Sequence, residues 1–246
     1  MEAVVKVAVA DRVYDAIREM LACGRFQSGE NISEVRLSME LSVSRTPVRE
    51  AVRRLVGENL LQVTSQGLRV YTPSIEDLAE VYYTRGILEG AAGMLASVNV
   101  GRGLAAPLRR ILERAKPLLA TDDHEAFARL NGEFHGMIDA ASSNKRIQEL
   151  LSSLEAIVVR YRRLSLVFPD HLRRSYEDHC KIVDEIEFGT PEDVERLIRD
   201  HIFKAGARVV RAMLRIDGSN APAGSTAAAL LLYEAEQRTP AYTTSA

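Results

Sequence analysis

The chain has 246 residues, of which 46% are apolar and 27% charged, values typical of a globular protein that buries a core. Its net charge of −2 argues against a polycation, so any contact with nucleic acid has to come from a local basic patch. The two cysteines lack CxxC spacing, and we find no signal peptide and no run of about 18 to 20 apolar residues that could span a membrane. These features predict a soluble, cytoplasmic protein with no membrane partner.

Helical periodicity followed by a short hairpin predicts a winged helix-turn-helix at the N-terminus. The predicted elements are helices at residues 9–22, 34–41 and 46–58, a turn region at 26–33, and strands at 60–64 and 68–72. Val13, Ile17 and Leu21 place one apolar stripe on the first helix, and Gly24 ends it. The strands join at Ser65-Gln66-Gly67 to form the wing. The order and lengths of these elements favour this fold over an arbitrary small α+β segment.

The stretch SVSRTPVREAVRRL places four arginines at the third helix. Pro47 suits the first turn of a helix, and Ser44 or Thr46 can supply the cap oxygen. The apolar residues predicted to be buried are Val48, Val52 and Leu55. Arg45 and Arg49 then lie one turn apart on the outward face, where arginine can bind phosphates or guanine edges. The alternative is a solvated helix face without a ligand.

The chain from a linker at residues 73–75 to residue 216 is predicted to be helical. The predicted helices cover residues 75–100, 104–119, 125–141, 145–167, 170–188 and 192–214. Six such helices with short connections form an antiparallel bundle. Residues 217–246 lack this periodicity and are predicted to be a flexible tail with one short helix near 226–237. The chain is thus mainly α, with a DNA-binding domain at 1–72, a helical domain at 76–216 and a C-terminal tail.

The stretch GRFQSGENISE…LSVSRTPVREAVRRL and the hairpin, together residues 8–72, resemble the DNA-binding domain of the GntR family of bacterial regulators. The resemblance implies transcription regulation by a homodimer that binds a palindromic double-stranded operator, and we expect the protein to be a repressor. The predicted DNA contacts are Arg45, Thr46 and Arg49, Gln66 and Gly67 at the wing tip, and Ser44 and Arg36 beside them. Two positions depart from the family pattern. Val35 stands where some members have a contacting arginine, and Ser65 where a basic wing residue is frequent.

Three of the five histidines fall on predicted bundle helices. Asn131 and His135 lie one turn apart, and His179 and His201 lie on the last two helices. By spacing alone, such residues are more often satisfied polar groups than metal ligands. However, residues 75–215 resemble the FCD ligand-binding domain of the FadR-like branch of this family. The resemblance implies that these four residues hold a divalent metal, and imidazole ligands suit zinc or nickel. The other histidines, His124 and His171, are predicted at the surface.

Arg85 matches the Arg-x-x-Leu-Glu pattern of the same resemblance, and two interpretations stay open. It forms an exposed salt bridge with Glu89, or it binds the carboxylate of a small organic acid effector that the metal holds at its other end. The main functional alternatives are a metal-dependent, hydrolase-like enzyme and a constitutive DNA binder with a structural metal. Glu133 lies off the face of Asn131 and His135, so no general base for an enzyme is evident.

Overall fold

The structure is a computed structural model that describes residues 2–121, 123–162 and 171–238. Its elements are α1 (Glu2–Ala22), β1 (Asn31–Ile32), α2 (Glu34–Glu40), α3 (Arg45–Gly57), β2 (Leu61–Thr64), β3 (Gly67–Val70), α4 (Ile75–Asn99), a 3-10 turn (Gly101–Leu104), α5 (Ala105–Ala115), α6 (Leu118–Thr121), α7 (His124–Ala141), α8 (Lys145–Arg162), α9 (His171–Phe188), α10 (Pro191–Asp217) and α11 (Thr226–Arg238). The end of the helix predicted at 145–167, the first residue of the one predicted at 170–188, and the last residues of the predicted tail lie outside the described residues. None of the described helices is long and apolar enough to cross a membrane.

The N-terminal unit comprises residues 1–73 and 152–161 and has the predicted winged helix-turn-helix fold. The stripe predicted on α1 is buried, with Ile17 and Leu21 at most 1% exposed, and α1 packs on α3. From α3 the fully buried side chains include Val48 and Leu55. The three helices therefore share one apolar core, because each has its apolar residues on a single face.

The sheet of the wing has three strands, in the order β1, β3, β2, with both pairs antiparallel. The hairpin register pairs Thr64 with Gly67, and the φ of Gly67 is +110°, a conformation that favours glycine. The prediction that residues 26–33 contain only a turn is wrong, because Asn31 and Ile32 pair with β3. Two residues are too few to show an alternating pattern, so the partner strand decides this pairing.

The helical unit comprises residues 74–151 and 162–246. Residues 152–161 group with the N-terminal unit, although the predicted helical domain includes them, and the domain boundaries remain a prediction. The helix predicted at 104–119 is interrupted before α6. Pro117 lies at this break and has no backbone N–H to donate to a carbonyl of the preceding turn. Buried apolar residues of α5, α7, α9 and α10, among others, form the main core of this unit.

Helices α4 and α10 approach each other closely at glycines. A methyl group at Gly206 would lie 2.6 Å from the Cβ of Tyr82, and one at Gly90 would lie 3.0 Å from the backbone oxygen of Glu195. Neither neighbouring atom can swing away as the end of a flexible side chain can. This packing holds the α4 and α10 backbones in fixed register, and both helices carry residues of the candidate site described below.

We expect Gly206→Ala to destabilise the protein, although alanine favours a helix over glycine by about 1 kcal/mol. Overpacking a close helix contact costs about 1 to 3 kcal/mol, which outweighs that gain. Gly136→Ala is the matched control, because Gly136 lies inside α7 and, apart from the backbone of its own helix, no atom of the described residues lies within 4 Å of the added methyl group. Urea unfolding should show lower stability for the first variant and equal or higher stability for the control. Equal stability of the two variants would contradict the close contact.

The helix predicted near residues 226–237 forms and packs against the helical unit, so this part of the chain is not a flexible tail. Helix α11 contacts α4 and α10, and its Leu230 is 1% exposed. The Glu76 carboxylate accepts hydrogen bonds from the backbone N–H groups of Thr226 at 2.6 Å and Ala227 at 3.2 Å. This carboxylate satisfies unpaired donors at the helix start and complements the helix dipole.

Candidate metal centre and nucleic-acid interface

The predicted recognition helix α3 presents two arginines to solvent near its N-terminus. The side chains of Arg45 and Arg49 are 59% and 54% exposed. The buried face of α3 consists of Val48, Ala51, Val52 and Leu55. Arg54 differs, because its guanidinium lies 3.9 Å from the centre of the Tyr14 ring and donates to Asp11 at 2.6 Å. Arg54 therefore ties α3 to α1, whereas Arg45 and Arg49 are available to a ligand.

An acidic residue that the sequence analysis did not single out accompanies these two arginines. Glu34, the first residue of α2, has one carboxylate oxygen 3.4 Å from Nε of Arg49 and 3.9 Å from Nη2 of Arg45. Exposed ion pairs of this kind contribute about 0 to 1 kcal/mol, so phosphate can replace the carboxylate at little cost. Glu34 therefore lies beside both guanidinium groups without fixing them. No local spacing signals it, because α2 and α3 are separate helices.

The other predicted DNA contacts also lie on the surface of the N-terminal unit. The exposed residues of this set are Arg36, Ser44, Thr46, Gln66 and Gly67. Ser44 is the N-cap residue of α3, but its side chain makes no capping hydrogen bond, and Thr46 lies within the helix. The prediction of a cap oxygen from either residue is therefore wrong. In the wing, Thr64 Oγ1 accepts from the Gln66 N–H at 3.2 Å and donates to the Gly67 oxygen at 3.0 Å.

Three buried histidines converge in the helical unit. His135 on α7, His179 on α9 and His201 on α10 are 4%, 2% and 3% exposed. The Nε2 atom of His179 lies 3.3 Å from Nε2 of His135 and 3.2 Å from Nε2 of His201. Among the described residues, these three form a group that could hold a metal ion. Tertiary structure thus brings together three of the four predicted ligands.

Carboxylates stand behind two of these rings. A Glu89 oxygen lies 2.7 Å from Nδ1 of His135, and an Asp178 oxygen lies 3.5 Å from Nδ1 of His201. Burial would raise the pKa of Glu89, but Arg85 and His135 outweigh it and hold that pKa well below its usual range. Burial also lowers the pKa of His201 to about 4, so this imidazole is neutral near pH 7.

This arrangement fits a transition metal. A carboxylate at Nδ1 fixes the tautomer in which Nε2 carries a lone pair, an arrangement common behind metal-binding histidines. A tetrahedral ion with metal–nitrogen distances of about 2.0 to 2.1 Å needs ligand nitrogens about 3.3 to 3.4 Å apart. The observed separations of 3.2 and 3.3 Å are close to this. Neutral lone pairs facing each other at such a distance repel unless a proton or cation lies between them.

A cavity of about 40 Å³ adjoins the histidines. Residues that line it are Tyr82, Arg85, His124, Phe127, Ala128, Asn131, His135, His171, Ser175, His201, Ile202, Ala205 and Arg208. The predicted fourth ligand Asn131 is half-buried and lines the cavity beside His135. Its role as a ligand remains a prediction. Arginine, histidine and neutral polar side chains predominate among the polar groups of this lining, which suits an anion.

Arg85 and Glu89 form an ion pair, but it is not the exposed surface bridge considered in the sequence analysis. Their side chains are 10% and 3% exposed. Arg85 also lines the cavity, so pairing with Glu89 and facing a ligand are compatible. Glu133, in contrast, pairs with Arg114 at 2.8 Å on the surface, as expected for a residue off the ligand-facing side of α7.

The prediction that His124 and His171 are surface residues is wrong, because both are half-buried and line the cavity. Helical spacing could have identified them. His124 lies three turns before His135 on α7, and His171 lies two turns before His179 on α9. Arg208 likewise follows His201 by two turns on α10 and was also missed. Each of these three helices therefore brings a further polar residue, two to three turns from its clustered histidine, to the cavity lining.

Two family descriptions match the chain over most of its length. Residues 9–68 match "Bacterial regulatory proteins, gntR family", and residues 80–204 match "FCD domain". The first range contains the helix-turn-helix and the start of the wing hairpin. The second contains the three clustered histidines and Arg85, but ends before Arg208 and α11.

Similar proteins of several bacteria are transcriptional regulators. The chain is 32% identical to a probable D-xylose utilization operon transcriptional repressor of Paenarthrobacter nicotinovorans, covering 80% of this chain and 87% of that protein. It is 30% identical to the gluconate operon transcriptional repressor of Bacillus subtilis, covering 74% of each. Among solved structures, E. coli McbR/YncC matches with a TM-score of 0.72 at 23% identity, covering 83% of this chain and 98% of that one.

Proposed function

The chain belongs to the GntR family of bacterial regulatory proteins and carries an FCD domain, and from this premise we propose that a small carboxylate controls its affinity for an operator. Like its relatives, the chain is a DNA-binding transcription regulator and not an enzyme. We propose further that it is a cytoplasmic repressor and that the carboxylate binds beside a transition metal in the helical unit. The observation that carries the proposal is the buried histidine cluster next to an arginine-lined cavity.

In this proposal α3 and the wing bind the operator DNA. Arg45, Thr46 and Arg49 enter the major groove, where an arginine fork can bind guanine or phosphate. Ser44 and Arg36 contact the backbone, and Gln66 and Gly67 at the wing tip reach the adjacent groove. The exposure of all seven residues supports this assignment. Phosphate contacts position the protein, and base contacts give the sequence preference.

In the same proposal the effector binds in the cavity of the helical unit. His135, His179 and His201 would hold zinc or nickel, with Asn131 as a further ligand, because neutral imidazoles suit these borderline ions. When bound, the ion supplies a Lewis-acidic position for a carboxylate oxygen. Arg85 contributes a guanidinium at the cavity wall. One relative is the repressor of a gluconate operon, and gluconate is itself a carboxylate.

We propose that the protein is a C2 homodimer on a palindromic operator, since paired recognition helices meet half-sites about 34 Å apart. An apolar stripe on α4 supports self-association. Tyr83, Ile87 and Val98 share one face of this helix and are 44%, 45% and 68% exposed. Helix α4 begins at Ile75, the last residue of the predicted linker, with a capping box between Ser74 and Asp77. The same helix carries Arg85.

We expect a small mono- or dicarboxylate to weaken operator binding by about 5- to 150-fold, the usual range of allosteric coupling. Arg85→Ala would leave buried Glu89 without its cation, at a cost of about 3 to 5 kcal/mol. Arg85→Lys is the more informative variant, because lysine keeps the positive charge but lacks the two parallel N–H donors with which arginine binds a carboxylate. We expect it to bind operator normally and to lose most of the response. The measurement is operator affinity by fluorescence anisotropy, with and without a panel of organic acids.

Arg114→Ala is the control for this experiment, because Arg114 is an exposed arginine outside the cavity lining. A full response in Arg85→Lys would show that Arg85 only balances the charge of Glu89. If no acid in the panel changes either operator affinity or the melting temperature of the wild type, the alternative of a constitutive DNA binder with a structural metal replaces the proposal.

A further inference from the structure

Arg208 is a buried cation in the cavity wall that the proposed function does not use. It lies on α10, two turns after His201, and is 4% exposed. Its position beyond residue 204 places it outside the range that matches the FCD domain. A buried charge of this kind needs a group that compensates it.

Two donors of Arg208 lack a partner within the described part of the chain. Nε and Nη2 are buried and have no hydrogen-bond acceptor there. These two nitrogens lie on the same edge of the guanidinium and together form a fork that fits one carboxylate. A buried donor without an acceptor costs about 1 to 3 kcal/mol. Native proteins keep few such groups, so this one needs an explanation.

The neighbouring carboxylates are committed elsewhere. Glu234 and Asp178 attract Arg208 electrostatically. However, Glu234 pairs with Arg211 at 2.7 Å, and Asp178 faces Nδ1 of His201. Arg85 likewise has its own partner in Glu89. Arg208 therefore differs from the other two arginines in having an open edge.

The lining of the cavity points to the same conclusion. None of its lining residues, all from the described ranges, is an aspartate or glutamate. A bound divalent ion would bring two positive charges, and Arg85 and Arg208 bring one each. Glu89 and Asp178, behind the histidine rings, remove two. A ligand with two negative charges would neutralise the remainder.

We propose that Arg208 binds the second carboxylate of a small dicarboxylate effector, whose first carboxylate lies at the metal and Arg85. The inference rests on the proposed function, because it places the ligand in the same cavity. It adds a residue and a ligand class. Arg208 selects dianions over monoanions through its open edge.

The test is calorimetric titration of the full-length, zinc-loaded protein with matched acids. Malonate and propionate share three carbons, and succinate and butyrate share four, so each pair differs by one carboxylate. We expect the wild type to bind the better dicarboxylate at least tenfold more tightly than its monocarboxylate. Arg208→Gln should weaken dicarboxylate binding about 10- to 100-fold, as expected for a lost charge-assisted hydrogen bond. It should leave monocarboxylate binding nearly unchanged.

Arg208→Lys keeps the charge without the fork and should give an intermediate result. Arg196→Gln, on the same helix α10 but exposed, paired with Asp193 and outside the cavity lining, is the control and should bind both acids as the wild type does. Equal wild-type affinity for the two acids of each pair, unaltered by Arg208→Gln, would overturn this inference and leave the proposed function standing. Failure of the wild type to bind any of the four acids would count against both.

Discussion

Protein purified without a chelator or a metal-affinity tag is expected to carry close to one transition-metal ion per chain, and His179→Ala is expected to lose most of it. His179 is the central residue of the cluster, since its Nε2 lies 3.3 and 3.2 Å from the other two Nε2 atoms. Removing it leaves two nitrogens where structural and catalytic zinc sites use three or four protein ligands. Elemental analysis of wild type and variant, at equal protein concentration, measures this loss.

The ion should also stabilise the folded protein, because the unfolded chain does not bring the three histidines together. At a free concentration 100 times its dissociation constant, a ligand of the folded state adds about 2.7 kcal/mol. Chelation should therefore lower the melting temperature of the wild type more than that of His179→Ala. Competition between zinc and nickel during reloading decides which ion is preferred.

His124→Ala is the control for the metal experiment. His124 lies on α7, as His135 does, and lines the same cavity, but it is not part of the three-histidine group. We expect it to keep its metal. A wild-type protein that is free of metal and gains none on dialysis against zinc or nickel would contradict the proposed centre.

Arg49→Ala is expected to lose about 1 to 3 kcal/mol of specific operator binding, which corresponds to about a 5- to 150-fold change in affinity. The expectation assumes that the exposed guanidinium of Arg49, released from Glu34, forms a fork with a guanine edge. Its loss should relax the sequence preference at one position of each half-site. Binding to selected operator and to random DNA of equal length, at one fixed salt concentration, measures both effects.

Arg54→Ala makes the same charge change on the same helix and is the matched control. Arg54 packs over Tyr14 and bonds to Asp11, so its removal should not alter sequence preference. An equal loss for Arg49→Ala on operator and random DNA would mean that Arg49 contacts only phosphate. If Arg49→Ala loses no affinity for either DNA, α3 is not part of the DNA interface.

The local sequence determined the elements of the DNA-binding unit. Val48, Val52 and Leu55 recur at helical spacing, and Pro47 marks a helix start, so α3 begins within one residue of its predicted position. The hairpin around Gly67 follows from alternation and a glycine that tolerates positive φ. These patterns suffice because helix periodicity and turn chemistry depend on residues a few positions apart.

Candidate metal ligands came from a family resemblance rather than from their spacing. The position of a histidine on one helix does not predict which histidine of another helix it will contact. Convergence of α7, α9 and α10 on one point is a property of packing, and it also brings Glu89 behind His135 at 2.7 Å. No local pattern connects residues so distant in the chain.

Tertiary structure alone decided what surrounds the cluster. His124 stands at a predicted helix start, where polar groups are usual, and His171 stands in a loop-like stretch, so both look like surface residues in the sequence. The packed helices bury part of both against the cavity. Arg208 looks like an ordinary basic residue on an amphipathic helix, yet its fork is buried without an acceptor among the described residues. Whether a polar group is solvated or enclosed depends on the neighbouring helices, and only the assembled bundle fixes those.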